Sequence, residues 1–243
     1  MSASIYGQRN NNAEYWNSWR YTAKEGMQQQ FEAAAAKKTA MFNKTPETGI
    51  MTYRVITGPN SGTYERVESR KSPEDYDMDR TAEGKYWNEH VSQFVAKANG
   101  QVRWRRLINS SYSVNPENST PAKYLRRTTY SVKSDKIMHF RRFIERVAKV
   151  AEKRKWQDSR FLFRLESGGN RNEFVLLATM DAHKRPESNP DENTNTFEED
   201  YNELFGFGSL EEDNQNFDAS LEPWGEFIEM LILVPEMSTG MME

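Results

Sequence analysis

The sequence predicts an α+β fold in which two tandem βαββαβ units close their antiparallel sheets into one pseudo-symmetric α/β barrel. Three observations lead there. A motif recurs at a nearly constant offset, each copy is flanked by the same order of strand-like and helix-like segments, and a polar stretch with two prolines separates the copies. Self-similarity carries the most weight. Tyr53-Arg54-Val55-Ile56-Thr57-Gly58-Pro59-Asn60 lies over Phe163-Arg164-Leu165-Glu166-Ser167-Gly168-Gly169-Asn170 at an offset of 110, and Tyr64 then matches Phe174. Upstream, Tyr21 to Lys24 lies over Tyr130 to Lys133 and Phe31 over Phe140, at an offset of 109. Downstream, Trp87-Asn88-Glu89 lies over Tyr201-Asn202-Glu203, at an offset of 114. The matches keep their order along the chain.

Each element of the first unit has a local reason. Residues 15–24 alternate and are rich in aromatics, as a strand requires. Glu25 to Phe42 is rich in Gln, Ala and Lys, lacks Pro, and places Met27, Phe31 and Ala34/Ala35 on one face, which predicts a helix. Gly49 to Thr57 reads as a strand, Gly58 to Gly62 as a hairpin turn, and Thr63 to Ser69 as the return strand. Ser72-Pro73-Glu74 predicts a helix start with Ser as N-cap, and Asn99-Gly100 predicts its stop. Val102 to Ile108 is the last strand of the unit. The second unit repeats the order: strand 123–132, helix 134–155 with Ser134 as N-cap, strand 159–166, turn 167–172, strand 173–180, helix near 196–206 and strand 226–234. The predicted boundaries are an N-terminal tail over 1–14, unit 1 over 15–114, a linker over 115–121, unit 2 over 122–235, and a C-terminal tail over 236–243. Extra loops are expected over 183–196 and 206–223.

Bulk properties exclude several function classes. The chain has no cysteine, so disulfides, thiolate metal sites and cysteine nucleophiles are absent. No apolar run approaches the roughly 18 residues of a membrane helix. The start shows no signal peptide, so the expected compartment is the cytoplasm, or the periplasm or exterior if a leader has been removed. The net charge of -3 hides an asymmetry: Glu187 to Glu243 holds 16 acidic residues and no Lys or Arg, and the remainder carries about +13. The basic helix bearing Arg141, Arg142, Arg146, Lys149, Lys153 and Arg154 could serve nucleic acid. Ion pairing with the chain's own acidic segment is the favoured reading, and nucleic acid is not expected as a partner.

The element order and the repeat resemble the tandem form of the ferredoxin-like, dimeric α/β-barrel superfamily. That group includes NIPSNAP-like proteins, antibiotic-biosynthesis-type monooxygenases and chlorite-dismutase-like haem proteins. The resemblance covers nearly the whole chain and points to no one member family. It implies a barrel protein that binds a small apolar ligand or a protein partner. The alternative is a cofactor-independent monooxygenase-like enzyme acting on an aromatic substrate. The weakest reading is haem binding through His139, whose neighbours Met138, Phe140, Arg141 and Arg142 match no haem motif. Of the remaining histidines, His90 falls in a charged helix and His183 in a polar loop, and no pair has metal-ligand spacing. No cofactor is therefore expected, while self-association stays open.

The expected ligand site lies in unit 1: Tyr15, Trp19, Tyr21, Tyr53 and Trp104, with Arg54 at its polar end. Unit 2 offers the more polar Tyr124, Arg126 and Thr128 at comparable positions. The bland alternative is that the rings simply fill the core. Arg54 and Arg164 occupy equivalent strand positions. If their faces line the barrel, the pair could hold a carboxylate or phosphate; the plainer reading, favoured here, is a rim Arg paired with a Glu of the acidic segment.

Overall fold

A computed structural model describes residues 13–45, 47–114, 121–183 and 195–240. Unit 1 runs β1 (Tyr15–Ala23), α1 (Gln28–Phe42), β2 (Met51–Val55), β3 (Tyr64–Lys71), α2 (Thr81–His90), β4 (Val95–Ala98) and β5 (Val102–Arg106). Unit 2 runs β6 (Tyr124–Val132), α3 (Ile137–Lys153), β7 (Arg160–Ser167), β8 (Glu173–Met180), α4 (Phe197–Phe205), α5 (Ser209–Ser220) and β9 (Leu221–Leu233). Among the described residues the strands follow the order β3-β2-β9-β6-β8-β7-β5-β1, and β1 pairs back onto β3. The ring is thus a closed antiparallel barrel of eight strands, with β4 continuing the line of β5 along β1. Each unit contributes a ferredoxin-like sheet. The units join where Tyr53 of β2 faces Leu233 of β9 and where Trp104 of β5 faces Leu165 of β7.

The strand register realises the sequence repeat. Arg54 pairs with Tyr64, as Arg164 pairs with Phe174. Tyr21 pairs with Tyr64, as Tyr130 pairs with Phe174. The first helix of each unit then drops one phenylalanine onto that pair: Phe31 lies 5.0 Å from Tyr64, and Phe140 lies 4.7 Å from Phe174, measured between ring centroids. Both phenylalanines are fully buried. These rings are the centres of the two sheet–helix cores.

The third sequence match does not describe spatial equivalents. Trp87 of α2 packs on Tyr21 at 4.8 Å and on Phe31. In unit 2 that role falls to Phe217 of α5, which packs on Tyr130 and Phe140. Tyr201 lies one helix earlier and donates to Asp213 at 2.7 Å. The stretch expected as a loop over 206–223 contains α5, because Gly206 and Gly208, both at positive φ, turn the chain into a second helix after α4. Its few apolar residues concealed it.

Other boundaries also shift. The helix expected from 72 to 99 is a single turn over Glu74–Asp77, then α2, then a turn over Ser92–Phe94, and residues 95–98 form β4 against β1. Ser134 is not a cap; α3 starts after Lys136 without a side-chain cap. Strand β9 starts at Leu221 rather than 226. Met237, in the stretch expected as a tail, is fully buried beneath α1. Residues 1–12 and 241–243 of the expected tails, most of the linker 115–121 and residues 184–194 of the expected loop lie outside the described residues.

Part of the charge asymmetry is resolved within unit 2, where the basic helix meets the acidic segment. Arg142 and Arg146 of α3 bond Asp213 of α5 at 2.7 and 2.5 Å, and Lys153 and Arg154 bond the buried Asp200 of α4 at 3.0 and 2.5 Å. No described helix is long and apolar enough to cross a membrane. Phe140→Ala should cost about 3–5 kcal/mol in urea denaturation, as expected for an aromatic at a packed centre. A loss below about 1 kcal/mol would contradict its central place.

Candidate functional site

The pleat of β3 sends successive side chains to opposite sides of the barrel wall. Glu65 and Val67 enter the lumen, while Arg66 and Glu68 enter the layer between the sheet and helices α1 and α2. In unit 1 part of that layer, beside the Phe31–Tyr64 core, is open. A cleft of about 270 Å³ lies between Trp19 and Tyr21 of β1, Arg66 and Glu68 of β3, Lys38 of α1, and Glu83 and Trp87 of α2.

Arg66 dominates the electrostatics. It is 1% exposed. Its Nε donates to Thr52 Oγ1 at 3.3 Å, one terminal nitrogen donates to Thr39 Oγ1, and its guanidinium lies over the Trp87 ring at 5.3 Å. Among the described residues no carboxylate forms a salt bridge with it. Burial pushes its pKa down to about 10, so it stays charged at neutral pH. Glu68, equally buried, pairs with Arg80 through one oxygen, and its other oxygen has no hydrogen-bond partner. Lys38 donates to Asn43 Oδ1 at 2.9 Å and to Glu83. Burial, reinforced by the Arg66 charge, brings its pKa down to about 8. Tyr21 and Tyr76 are pushed up to about 12 by burial, so both phenols remain protonated donors.

The structure separates the six expected residues. Trp19 and Tyr21 line this cleft. Tyr15 packs edge-on against Tyr76, another cleft residue, at 6.2 Å. Trp104 faces the lumen instead. Tyr53 also points inward, into an apolar cluster with Val55, Leu125 and Leu231, and donates to the Ala122 carbonyl at 3.2 Å. Arg54 is exposed on the outer face. Arg164 lies over Phe174 at 5.5 Å and donates to the Arg171 carbonyl. The two arginines sit on strands separated by β9, β6 and β8, so no arginine pair forms in the barrel, and neither makes a salt bridge among the described residues.

Sequence reasoning missed Lys38, Thr39, Thr52, Arg66 and Glu68. Charged residues in a strand read as solvent-facing, yet Arg66 and Glu68 share the phase of the buried Tyr64. The repeat held a usable signal. At the offsets of 109 and 110, these five residues lie over Val147, Ala148, Leu162, Leu176 and Ala178. Unit 2 is apolar at each of these positions. Its sheet–helix layer holds Phe140, Phe174, Phe143 and Phe217 in mutual ring contact, and His139 lies on α3 half-buried. Among the described residues no group of acidic and histidine side chains is placed to hold a metal ion.

No family model matches the sequence, and no curated protein matches it in sequence. Solved structures do match the fold. A candidate monooxygenase from Lactobacillus acidophilus NCFM superposes with a TM-score of 0.59 at 10% identity, covering 93% of this chain and 96% of that one. An anthrone oxidase-like protein gives 0.52 at 10% identity, covering 91% of both chains. A candidate chlorite dismutase gives 0.53 at 10% identity, covering 93% and 96%. The chain has the dimeric α/β-barrel fold in tandem form. At these identities the likeness speaks to fold alone.

The depressed Lys38 pKa has a measurable consequence. In the unfolded chain this amine titrates near 10.5, and in the fold near 8. Between those values the unfolded chain binds more protons, so stability rises with pH; below about 8 both forms are protonated and Lys38 contributes no slope. Above about 10 the buried tyrosines oppose the trend, because they ionise in the unfolded chain first. Urea midpoints should therefore increase from about pH 8 to 10, and Lys38→Met should flatten that segment. An unchanged slope in the variant would show that Lys38 titrates normally.

Proposed function

We propose that this chain binds a flat, ionisable aromatic molecule in the unit-1 cleft, with its anionic oxygen on Arg66 and its rings against Trp19, Tyr21 and Trp87. One observation carries this reading: a fully buried guanidinium that hydrogen-bonds two threonine hydroxyls and, among the described residues, forms no salt bridge, with Glu83 and Glu68 acting on it only through space. Burying a charge without a directly paired counter-ion is costly. Unit 2 shows that the same fold dispenses with it, placing Leu176 at the equivalent position. A ligand carboxylate would complete the bidentate geometry that a guanidinium favours, and a phenolate would supply a single anionic acceptor. The aromatic walls suit a planar body. The expected apolar ligand thus gains an acidic group.

A second reading adds chemistry. Two structural neighbours are described as a candidate monooxygenase and as anthrone oxidase-like. An activated aromatic CH₂ can be converted by O₂ to a carbonyl, one oxygen atom entering the product and the other leaving as water with the two hydrogens. Lys38, with a pKa near 8, is suited to accept the proton that makes such a carbon electron-rich, and Arg66 to hold the resulting oxyanion.

Titration with 1-naphthoate tests the binding reading. We expect saturable one-to-one binding, weakened roughly 30-fold or more in Arg66→Met, the scale of removing one partner of a buried charge pair. Arg66→Lys should recover part of it. Equal affinity in Arg66→Met would refute the assignment. Oxygen uptake with anthrone tests the catalytic reading separately. Absence of uptake would remove the chemistry and leave the binding reading standing.

A further inference from the structure

The other side of the same wall holds a second chamber. Inside the ring of strands lies a cavity of about 300 Å³. That volume falls at the lower end of small-molecule sites. The Tyr53, Val55, Leu125 and Leu231 cluster packs on the inner face where β2, β9 and β6 meet. The cavity reaches the end where the β2–β3 and β7–β8 turns lie, at Asn60, Asn99, Glu173 and Phe227.

Its walls combine aromatic faces with a surplus of negative charge. Trp16 of β1, Trp104 of β5 and Phe163 of β7 line it, with Trp16 and Phe163 only 4.7 Å apart between centroids. Two arginines and three carboxylates line it as well. Both arginines are already engaged: Arg20 with Glu65 at 3.1 Å, and Arg127 with Glu65 and Glu229. Asn60 donates to the remaining Glu229 oxygen at 2.8 Å. Glu173, the first residue of β8, is the third carboxylate, and it has no salt-bridge partner among the described residues. A cationic centre near Glu173 would restore neutrality, and its apolar body would lie on the π faces that favour cations.

We propose that the barrel lumen is a binding site for an organic cation: a primary or substituted ammonium on a small aromatic or bulky apolar body, entering beside Glu173. The chain would then carry two chambers of opposite preference, separated by one layer of sheet. This inference does not depend on the role given to the unit-1 cleft.

The test uses the full chain and 1-naphthylmethylammonium, followed by tryptophan fluorescence, since Trp16 and Trp104 face the site. Its neutral isostere 1-naphthalenemethanol and the anion 1-naphthoate serve as comparisons. The cation should bind one-to-one and more tightly than the alcohol, and 1-naphthoate should not displace it. Glu173→Gln should weaken it roughly fivefold, the scale of one partly exposed ion pair. Glu173→Lys should abolish binding, while Arg66→Met should leave it intact; thermal melting of each variant verifies folding. Failure to bind, equal affinity for the alcohol, displacement by 1-naphthoate, or unchanged affinity in Glu173→Lys would overturn the proposal.

Discussion

Arg127 of β6 holds Glu65 of β3 and Glu229 of β9 at the same time, and Glu65 in turn holds Arg20 of β1. One guanidinium therefore ties unit 1 to unit 2 across the lumen. The surrounding ring closes through β2–β9 and β5–β7, so neither sheet keeps an open edge there. Closure forces every strand residue to one side or the other. On β3 the consequence is direct: Glu65 and Arg66 are sequence neighbours, but the first belongs to the lumen network and the second to the helix-side cleft. A buried ionic network of this kind adds little net stability compared with apolar packing, but breaking it strands a charge. Its structural effect is to keep part of the lumen polar and unfilled.

The two units solve the same packing problem with different chemistry. Both pack a strand tyrosine, a helix phenylalanine and an aromatic from the paired strand at equivalent positions. Beyond that shared centre they diverge. Unit 2 adds α5, whose Phe217 stacks on Phe140, and lines the rest with Leu and Val. Unit 1 places Lys38, Arg66 and Glu68 there and leaves a cleft. Divergence between two copies of one scaffold separates residues the fold requires from residues it tolerates.

Much of the fold was legible because aromatic, arginine and glycine positions recur with a period the strands must respect. The same spacing that aligned Arg54 with Arg164 aligns their partners Tyr64 and Phe174 across the hairpins. What escaped detection had physical reasons. Helix α5 carries only Leu210, Phe217 and one Ala as apolar residues, too few to show a periodic face. The segment 95–98 is a strand only because β1 offers it an edge. On β2 both faces are buried, with Thr52 beneath α1 and Tyr53 in the lumen, so alternation alone could not tell which side Arg54 takes. Trp19 and Tyr21 were found as rings on an aromatic strand. The charges beside them were not, since burial of an arginine is a tertiary property with no local signature.

The central claim is that Arg66 is a receptor for a ligand's negative charge rather than a structural ion. Soaking crystals of the protein with 6-bromo-2-naphthoate and locating bromine by anomalous scattering tests it most directly. The account predicts a bromine peak in the unit-1 cleft, with the carboxylate on the Arg66 guanidinium and the rings beside Trp87 and Tyr21. A peak confined to the lumen or the outer surface, or an Arg66 found already bound to a protein carboxylate, would contradict it.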